Sequence, residues 1–465
     1  MNGVVWAMLA YVLVQFAIGI YVSRATASES DYILAGRSLG TGLVAFSVFA
    51  SFFGAEAIVA SAGAVYEHGV SGATVDPFGY ALALLIVGTL LAAPLWRRGL
   101  TTFADLFRAR YSPGVEKLVV LMLLPGSLFW AAAQIRAFGQ VLSANSMLDV
   151  ETAITVAAVL VGAYSVVGGL LADSVTDVIQ GVAVILGLVI LTTMVALGSS
   201  ALEVPIAAAA EPAAAAVAAA MEPAEPAGFF AWLEQLLIPI CGTVVSVELI
   251  SRFLGSRSAG VAATGTSIGA VMYFAVGIMP VYLGLMGAGL LPGLTEPEQI
   301  VPKLAELYLP SGLRIVFVGA IISAILSTVH SALHGPASQV SHNIVLRMFP
   351  DLPAGQKLWV VRATVMALSV IAYTLSLSSE RIHDLVETAS AFGSAGVFVV
   401  AIFALFTNYG GPASAYGALV TGMVVWLVAK FGLSFEAPYA LALVSSIAIY
   451  AALANTGSAP SKLAS

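Results

Sequence analysis

The chain has 465 residues, 60% of them hydrophobic and only 9% charged, with a formal net charge of −7 and a mean hydropathy of +1.00. A soluble domain carries about 25% charged residues, so this composition excludes a wetted globular surface and predicts an all-α polytopic membrane protein. Nucleic-acid binding is excluded by the same balance, since the chain is acidic and its basic residues flank the apolar runs.

A spanning helix needs about 20 mostly apolar residues, and about thirteen segments meet that criterion. In chain order they are 3–22, 40–66, 73–96, 117–146, 150–170, 175–198, 229–253, 263–290, 311–340, 357–377, 382–407, 412–431 and 436–454. The N-terminus, Met1 to Trp6, lacks the basic region and small-residue cleavage site of a signal peptide, so the first run is expected to stay as a helix. Cys241, the single cysteine, cannot form an internal disulfide and reads as a small core residue.

The second segment contains Ala50-Ser51-Phe52-Phe53-Gly54-Ala55-Glu56-Ala57. Gly54 among small residues permits a break in the helix. Carbonyls freed by a break bind a cation at membrane depth only where they line a cavity. Glu56 in that run costs a few kcal/mol if unpaired, so it reads either as a substrate or ion contact or as a hydrogen-bonded helix contact.

Between the fifth and sixth segments stand Tyr164-Ser165-Val166-Val167-Gly168-Gly169-Leu170-Leu171-Ala172-Asp173 and then Thr176-Asp177-Val178-Ile179-Gln180-Gly181. The glycine pair predicts a tight inside turn. Asp177 is expected to open the next helix, where it serves either as a charge favoured by the helix dipole or, facing the interior, as part of a cation relay.

Residues 201–228 are Ala- and Pro-rich and carry Glu203, Glu211, Glu222 and Glu225. Such a stretch resists insertion and reads as an outside linker between two halves. Five long segments precede it from residue 40 and five follow it to residue 407, which suggests an inverted repeat with a site at the interface of the halves. The predicted division is an N-terminal extra helix and inside loop (1–39), a first five-helix repeat (40–198), the linker (199–228), a second repeat (229–407) and two C-terminal helices with a short tail (408–465).

The ninth segment holds Ala324-Ile325-Leu326-Ser327-Thr328-Val329-His330-Ser331, continuing to His334, Ser338 and Ser341. Adjacent hydroxyls near mid-helix can complete an oxygen cage around Na⁺, a hard cation. In lipid, Ser and Thr also commonly hydrogen-bond their own helix or a neighbour.

Orientation follows from Lys and Arg in short loops. With the N-terminus outside, the inside loops hold Arg24, Arg37, Arg97, Arg98, Arg108, Arg110, Lys117, Arg252, Arg257, Arg347, Lys357 and Arg362, and the tail holds Lys462. The opposite side holds Lys303, Arg314, Arg381 and Lys430. This bias of roughly three to one predicts an outside N-terminus and a cytoplasmic C-terminus.

Together these stretches resemble the sodium:solute symporter family, whose members include proline, sugar, sialic acid and pantothenate transporters. The run from Tyr164 with Thr176 to Gly181 behind it looks like the family hallmark. Supporting matches are Ala62-Gly63-Ala64-Val65-Tyr66, Ser251-Arg252-Phe253-Leu254 and Leu326-Ser327-Thr328. The resemblance implies a leucine-transporter-type fold of 5+5 inverted repeats in a bacterial-type inner or plasma membrane. It also implies Na⁺ as coupling ion, bound by the carbonyls of Ala50, Phe53 and Ala324 and the hydroxyls of Ser327 and Thr328. Asp177 matches the family's acidic residue near that site.

His330 departs from the family pattern, in which many members carry Asp, and His334 follows one turn later. An i, i+4 His pair can bind a transition metal, but no third ligand accompanies it. A pH-sensitive gate or substrate contact ranks above a metal site, and plain interhelical hydrogen bonding above both. The substrate pocket is expected at the midplane, with Glu56, Gln134, Arg136, Ser246, Glu248, Tyr273 and Ser390 as its polar groups. Arg136 is expected to pair with Glu56 or Glu248 ahead of a substrate carboxylate.

The leading expectation is Na⁺-coupled symport of a small organic solute by alternating access, with no obligatory protein partner evident beyond the lipid bilayer. The alternatives are H⁺ coupling through Glu56, Asp177 or His330 in the same architecture, or a transporter-like solute sensor. An enzyme is not expected: there is no phosphate-cradling glycine loop, three-member metal cluster or nucleophile–base pair at a recognisable spacing.

Overall fold

A bilayer offers the backbone no hydrogen-bond partner, so apolar runs of this length satisfy their own N–H and C=O groups as helices. The computed structural model describes residues 3–24, 26–144, 146–198, 228–378 and 389–456, and in them the apolar runs are helical apart from short breaks such as those at Phe53–Gly54 and Val245–Ser246. Ten of these helical stretches are long and apolar enough to cross a membrane, or eleven if the bent pair at residues 229–254 forms one span. The protein is therefore a multi-pass membrane protein. The expected linker, apart from Gly228, and the start of the eleventh segment lie outside the described residues.

The count of eleven falls below thirteen for two reasons. The N-terminal helix α1 (Gly3–Ser23) is apolar along its 21 residues and stands outside that count. The second segment is split: α3 (Thr41–Phe52), which follows the short α2 (Glu29–Leu34), is itself short. The remainder of that segment runs on with the third from Glu56 to Arg97. Within that stretch α4 (Ser61–His68) ends at Gly69, where a φ of +63° turns the chain toward α5 (Tyr80–Ile86) and α6 (Ala92–Arg97).

Short helix α7 (Ala104–Arg110) leads to the long α8 (Pro113–Ala144), followed by α9 (Val150–Val167) and α10 (Leu170–Ala196). Beyond residue 228 the seventh segment is broken. Helices α11 (Phe229–Val244) and α12 (Val247–Leu254) meet at a bend of 41°. Ser246 begins the second piece as an N-cap that accepts from Leu249 N at 3.4 Å. Then come α13 (Ala259–Leu290), the amphipathic α14 (Ile300–Tyr308), α15 (Ser311–Gln339) and α16 (Ala354–Ser378). The chain closes with α17 (Ser394–Phe406), α18 (Pro412–Leu427) and α19 (Pro438–Thr456).

The core places α10 against both α3 and α15, with α13 behind α3 and α8 packed on α15, α9 and α16. Helix α15 is buried without interruption from Phe317 to Gln339, apart from the half-buried Gly319, which makes it the axis of the bundle. Hydrophobic side chains such as Leu90, Val159, Leu186, Val271 and Val370 point outward instead. In a membrane those outward faces meet lipid, so their exposure carries no cost.

Candidate functional site

The break in α3 is built by a rearranged backbone. Gly54 N donates to Phe52 O at 3.1 Å rather than to Ala50 O, one helical turn back. Ala55 N leaves the helical pattern too, and donates to Gln134 Oε1 of α8 at 3.0 Å. The Ala50 carbonyl released in this way accepts from Thr328 Oγ1 of α15 at 3.2 Å. Gly54 is needed for this approach, because a Cβ there would lie 2.7 Å from both Gln134 Oε1 and Thr328 Oγ1.

One turn away, Ser47 of α3 donates to Asp177 Oδ2 at 2.5 Å, and Ser327 of α15 donates to Asp177 Oδ1. Asp177 is fully buried and joins three helices. It does not open its helix, as the sequence reading had it. Helix α10 begins at Leu170, so Asp177 sits in the third turn and Asp173 occupies the first. The dipole role expected for Asp177 falls away with that register.

Beside this group lies a second buried polar cluster. Arg252, at the end of α12, pairs with Asp173, has Asp177 Oδ2 3.9 Å away, and donates to Ser331. Ser331 and Ser51 share a hydrogen bond of 2.9 Å. Arg252 is fully buried, so its placement in an inside loop is corrected: it is a core residue, retained there by two carboxylates. His330 Nδ1 lies 2.8 Å from Asp173 Oδ1, and His334 Nε2 lies 3.0 Å from the Tyr32 carbonyl. The two imidazoles stack with centroids 5.6 Å apart. Among the described residues no group of three His, Cys, Asp or Glu side chains could hold a metal ion. The glycine pair owes its place to close packing: a Cβ on Gly168 would lie 2.8 Å from His330 Nε2.

The two helix breaks flank a cavity of about 60 Å³. At roughly 10–15 Å³ per water this holds a handful of waters or one small solute. Its wall is made by Phe52 beside the first break, by Ser246 and Glu248 at the second, by Trp130 of α8, and by Tyr80 and Ser390. Tyr80 OH and Ser390 Oγ are 3.0 Å apart.

The expected pocket residues therefore divide. Ser246, Glu248 and Ser390 line the cavity, and Glu56 lies behind the wall, within hydrogen-bonding reach of Tyr80 and Trp130. Gln134 serves the α3 break instead. Tyr273 donates to Asp76 Oδ1 at 2.9 Å and sets its ring edge-on to Phe53. Arg136 points away toward α16, where it donates to the Ser376 carbonyl at 3.1 Å, and it pairs with neither Glu56 nor Glu248. Of the expected ion ligands, Ala50 and Thr328 are in direct contact, Ser327 and Asp177 adjoin them, and Phe53 and Ala324 are buried beside them. Ser47, Asp173, Arg252 and Asp76 were not singled out as site residues. For Ser47 and Asp76 the signal was a polar side chain inside an otherwise apolar segment; Asp173 and Arg252, at segment ends, carried none.

The sodium:solute symporter family model matches residues 32–425. The human high affinity choline transporter 1 is 24% identical over 437 residues, covering 90% of this chain and 75% of its own length. The sodium/pantothenate symporter of Haemophilus influenzae is 25% identical over 440 residues, covering 91% and 89%. The solved structure of a Na⁺-coupled sialic acid symporter in its substrate-bound outward-open state superposes with a TM-score of 0.86 at 16% identity, covering 100% of this chain and 99% of that one. That likeness establishes a common, leucine-transporter-type fold.

Proposed function

The chain belongs to the sodium:solute symporter family, and from that premise we propose that it couples the inward movement of Na⁺ to symport of a small organic solute by alternating access. It is a solute transporter and not an enzyme. The coupling site we assign to the break in α3 and the facing stretch of α15, with the carbonyls of Ala50, Phe53 and Ala324 and the hydroxyls of Ser327 and Thr328 as ligands. One observation carries this reading: the Ala50 carbonyl, freed by the break at Gly54, already faces the Thr328 hydroxyl across the helix interface. Ser327 donates its hydrogen bond to Asp177, which leaves its oxygen lone pairs for a hard cation.

The ion would tie α3 to α15, and parting the two helices would dismantle the cage. Binding would therefore favour the state in which they touch, which is what coupling requires. The solute would occupy the adjoining cavity, where Ser246, Glu248 and Ser390 reach it directly and Glu56 acts through Tyr80 and Trp130. Gln134 and Tyr273 we assign to holding the first break in shape, and Arg136 to holding α8 against α16. The remaining architecture we propose as thirteen spans in two inverted five-helix repeats, with the N-terminus outside and the C-terminus in the cytoplasm of a bacterial-type cell.

The direct test is equilibrium binding of radiolabelled Na⁺ to the purified protein, followed by solute uptake in proteoliposomes under an inward Na⁺ gradient. Saturable Na⁺ binding is expected, and the S327A/T328V double variant is expected to weaken it at least tenfold, about 1.4 kcal/mol or more. Unchanged Na⁺ affinity in that variant would remove the site.

A further inference from the structure

We propose that the cavity takes a small organic cation, an ammonium-bearing solute seated against aromatic rings with Glu248 as its counter-ion; this rests on reading the cavity as the solute site. Phe52, Tyr80, Trp130 and Phe392 all contribute rings to the wall, and among the described residues no Lys, Arg or His lines it. The Phe52 and Trp130 rings stand 5.2 Å apart at an interplanar angle of 47°, forming one corner of the wall. A cation within about 6 Å of such ring centroids is attracted by their quadrupoles, most strongly when desolvated.

The carboxyl inventory points the same way. Glu248 is 3% exposed. Its Oε2 accepts from Ser246 Oγ at 2.7 Å, Ser127 of α8 lies within hydrogen-bonding reach of the same carboxyl, and Oε1 makes no hydrogen bond of normal geometry. Behind the wall stand Glu56, approached by Tyr80 and Trp130, and Asp76, whose Oδ2 also lacks a partner. Among the described residues no ion pair joins any of these three carboxyls to a base. The next base along α12 is Arg252, one turn past Glu248, and it is held by Asp173 and Ser331. Buried acids within a membrane are costly unless something pairs with them. An anionic solute would meet the Glu248 carboxyl with no base among the described lining residues. A neutral solute offers Glu248 no counter-charge, whereas a cation satisfies both the Glu248 carboxyl and the aromatic wall.

The test is thermal-shift binding on the purified full chain with choline, ethanolamine and tetramethylammonium, against the uncharged carbon isostere of choline and against anionic pantothenate, each with and without Na⁺. At least one of the three cations is expected to raise the unfolding temperature saturably, with the isostere at least tenfold weaker and pantothenate without effect. Glu248→Gln is expected to weaken the bound cation at least tenfold. Trp130→Phe is expected to retain binding and Trp130→Leu to lose it. If either position tolerates no substitution, the comparison of cation with isostere on the unaltered protein decides. Equal binding of cation and isostere, preference for pantothenate, or no binding of any cation at millimolar concentration overturns the inference. Cation binding indifferent to Na⁺ would uphold this inference and count against Na⁺ coupling. Na⁺-dependent binding of pantothenate would do the reverse.

Discussion

Arg252→Gln is expected to cost about 3–5 kcal/mol of stability, the largest effect of any single polar substitution in this bundle. The guanidinium has no access to solvent and lies against Asp173, with Asp177 one turn further along the same helix. Removing it leaves two carboxyls in an apolar surround, and the penalty is that of the uncompensated charge rather than of the lost contact. The measurement is the fraction of monodisperse protein after graded heating. The paired variant Arg252→Gln with Asp173→Asn should recover much of the loss, because it removes a charge of each sign. A single variant as stable as the unaltered protein would show that the pair contributes little. A paired variant no better than the single one would show that Asp173 is needed for another contact, the nearest being His330 at 2.8 Å.

Arg252 also marks the limit of what the sequence made legible. Positive charges beside a span boundary normally lie in loops, and nothing local distinguishes Arg252 from Arg257, which is exposed. The difference is tertiary: Asp173, 79 residues before Arg252 in sequence, comes to face it only when α10 and α12 pack. The breaks show the same contrast. Gly54 announced the first, because a glycine beside a buried acid has few other uses in a span. The second falls at Val245–Ser246 with no glycine at the bend itself, and its signal is only a serine that can cap the helix resuming after it. Gln134 and Arg136 illustrate a reading that periodicity alone would have refined. Two residues apart on one helix, they stand about 200° apart around its axis. The bundle accordingly sends Gln134 to the α3 break and Arg136 to α16. Ser327 and Thr328 were legible because adjacent hydroxyls at that depth in an apolar helix are uncommon, and Asp177 because its motif placed it near them.

Gly54→Ala is expected to lower Na⁺ affinity at least tenfold while the protein still folds. The added Cβ would lie 2.7 Å from both Gln134 Oε1 and Thr328 Oγ1, so both side chains must yield. Each holds the break in place: Gln134 accepts from Ala55 N, and Thr328 donates to Ala50 O. Overpacking of this kind costs about 1–3 kcal/mol, and here it falls on the atoms assigned to the ion. Gly42→Ala, earlier on the same helix, separates this effect from ordinary glycine replacement. No atom lies within 4 Å of a Cβ at that position, so it should bind Na⁺ like the unaltered protein and gain about 0.5–1 kcal/mol from reduced backbone freedom. If Gly54→Ala also binds Na⁺ normally, the break does not form the ion site, and Ser327 with Asp177 would have to hold the ion without the α3 carbonyls. If both variants lose Na⁺ binding equally, the loss belongs to helix α3 as a whole and not to the approach of Thr328 that Gly54 permits.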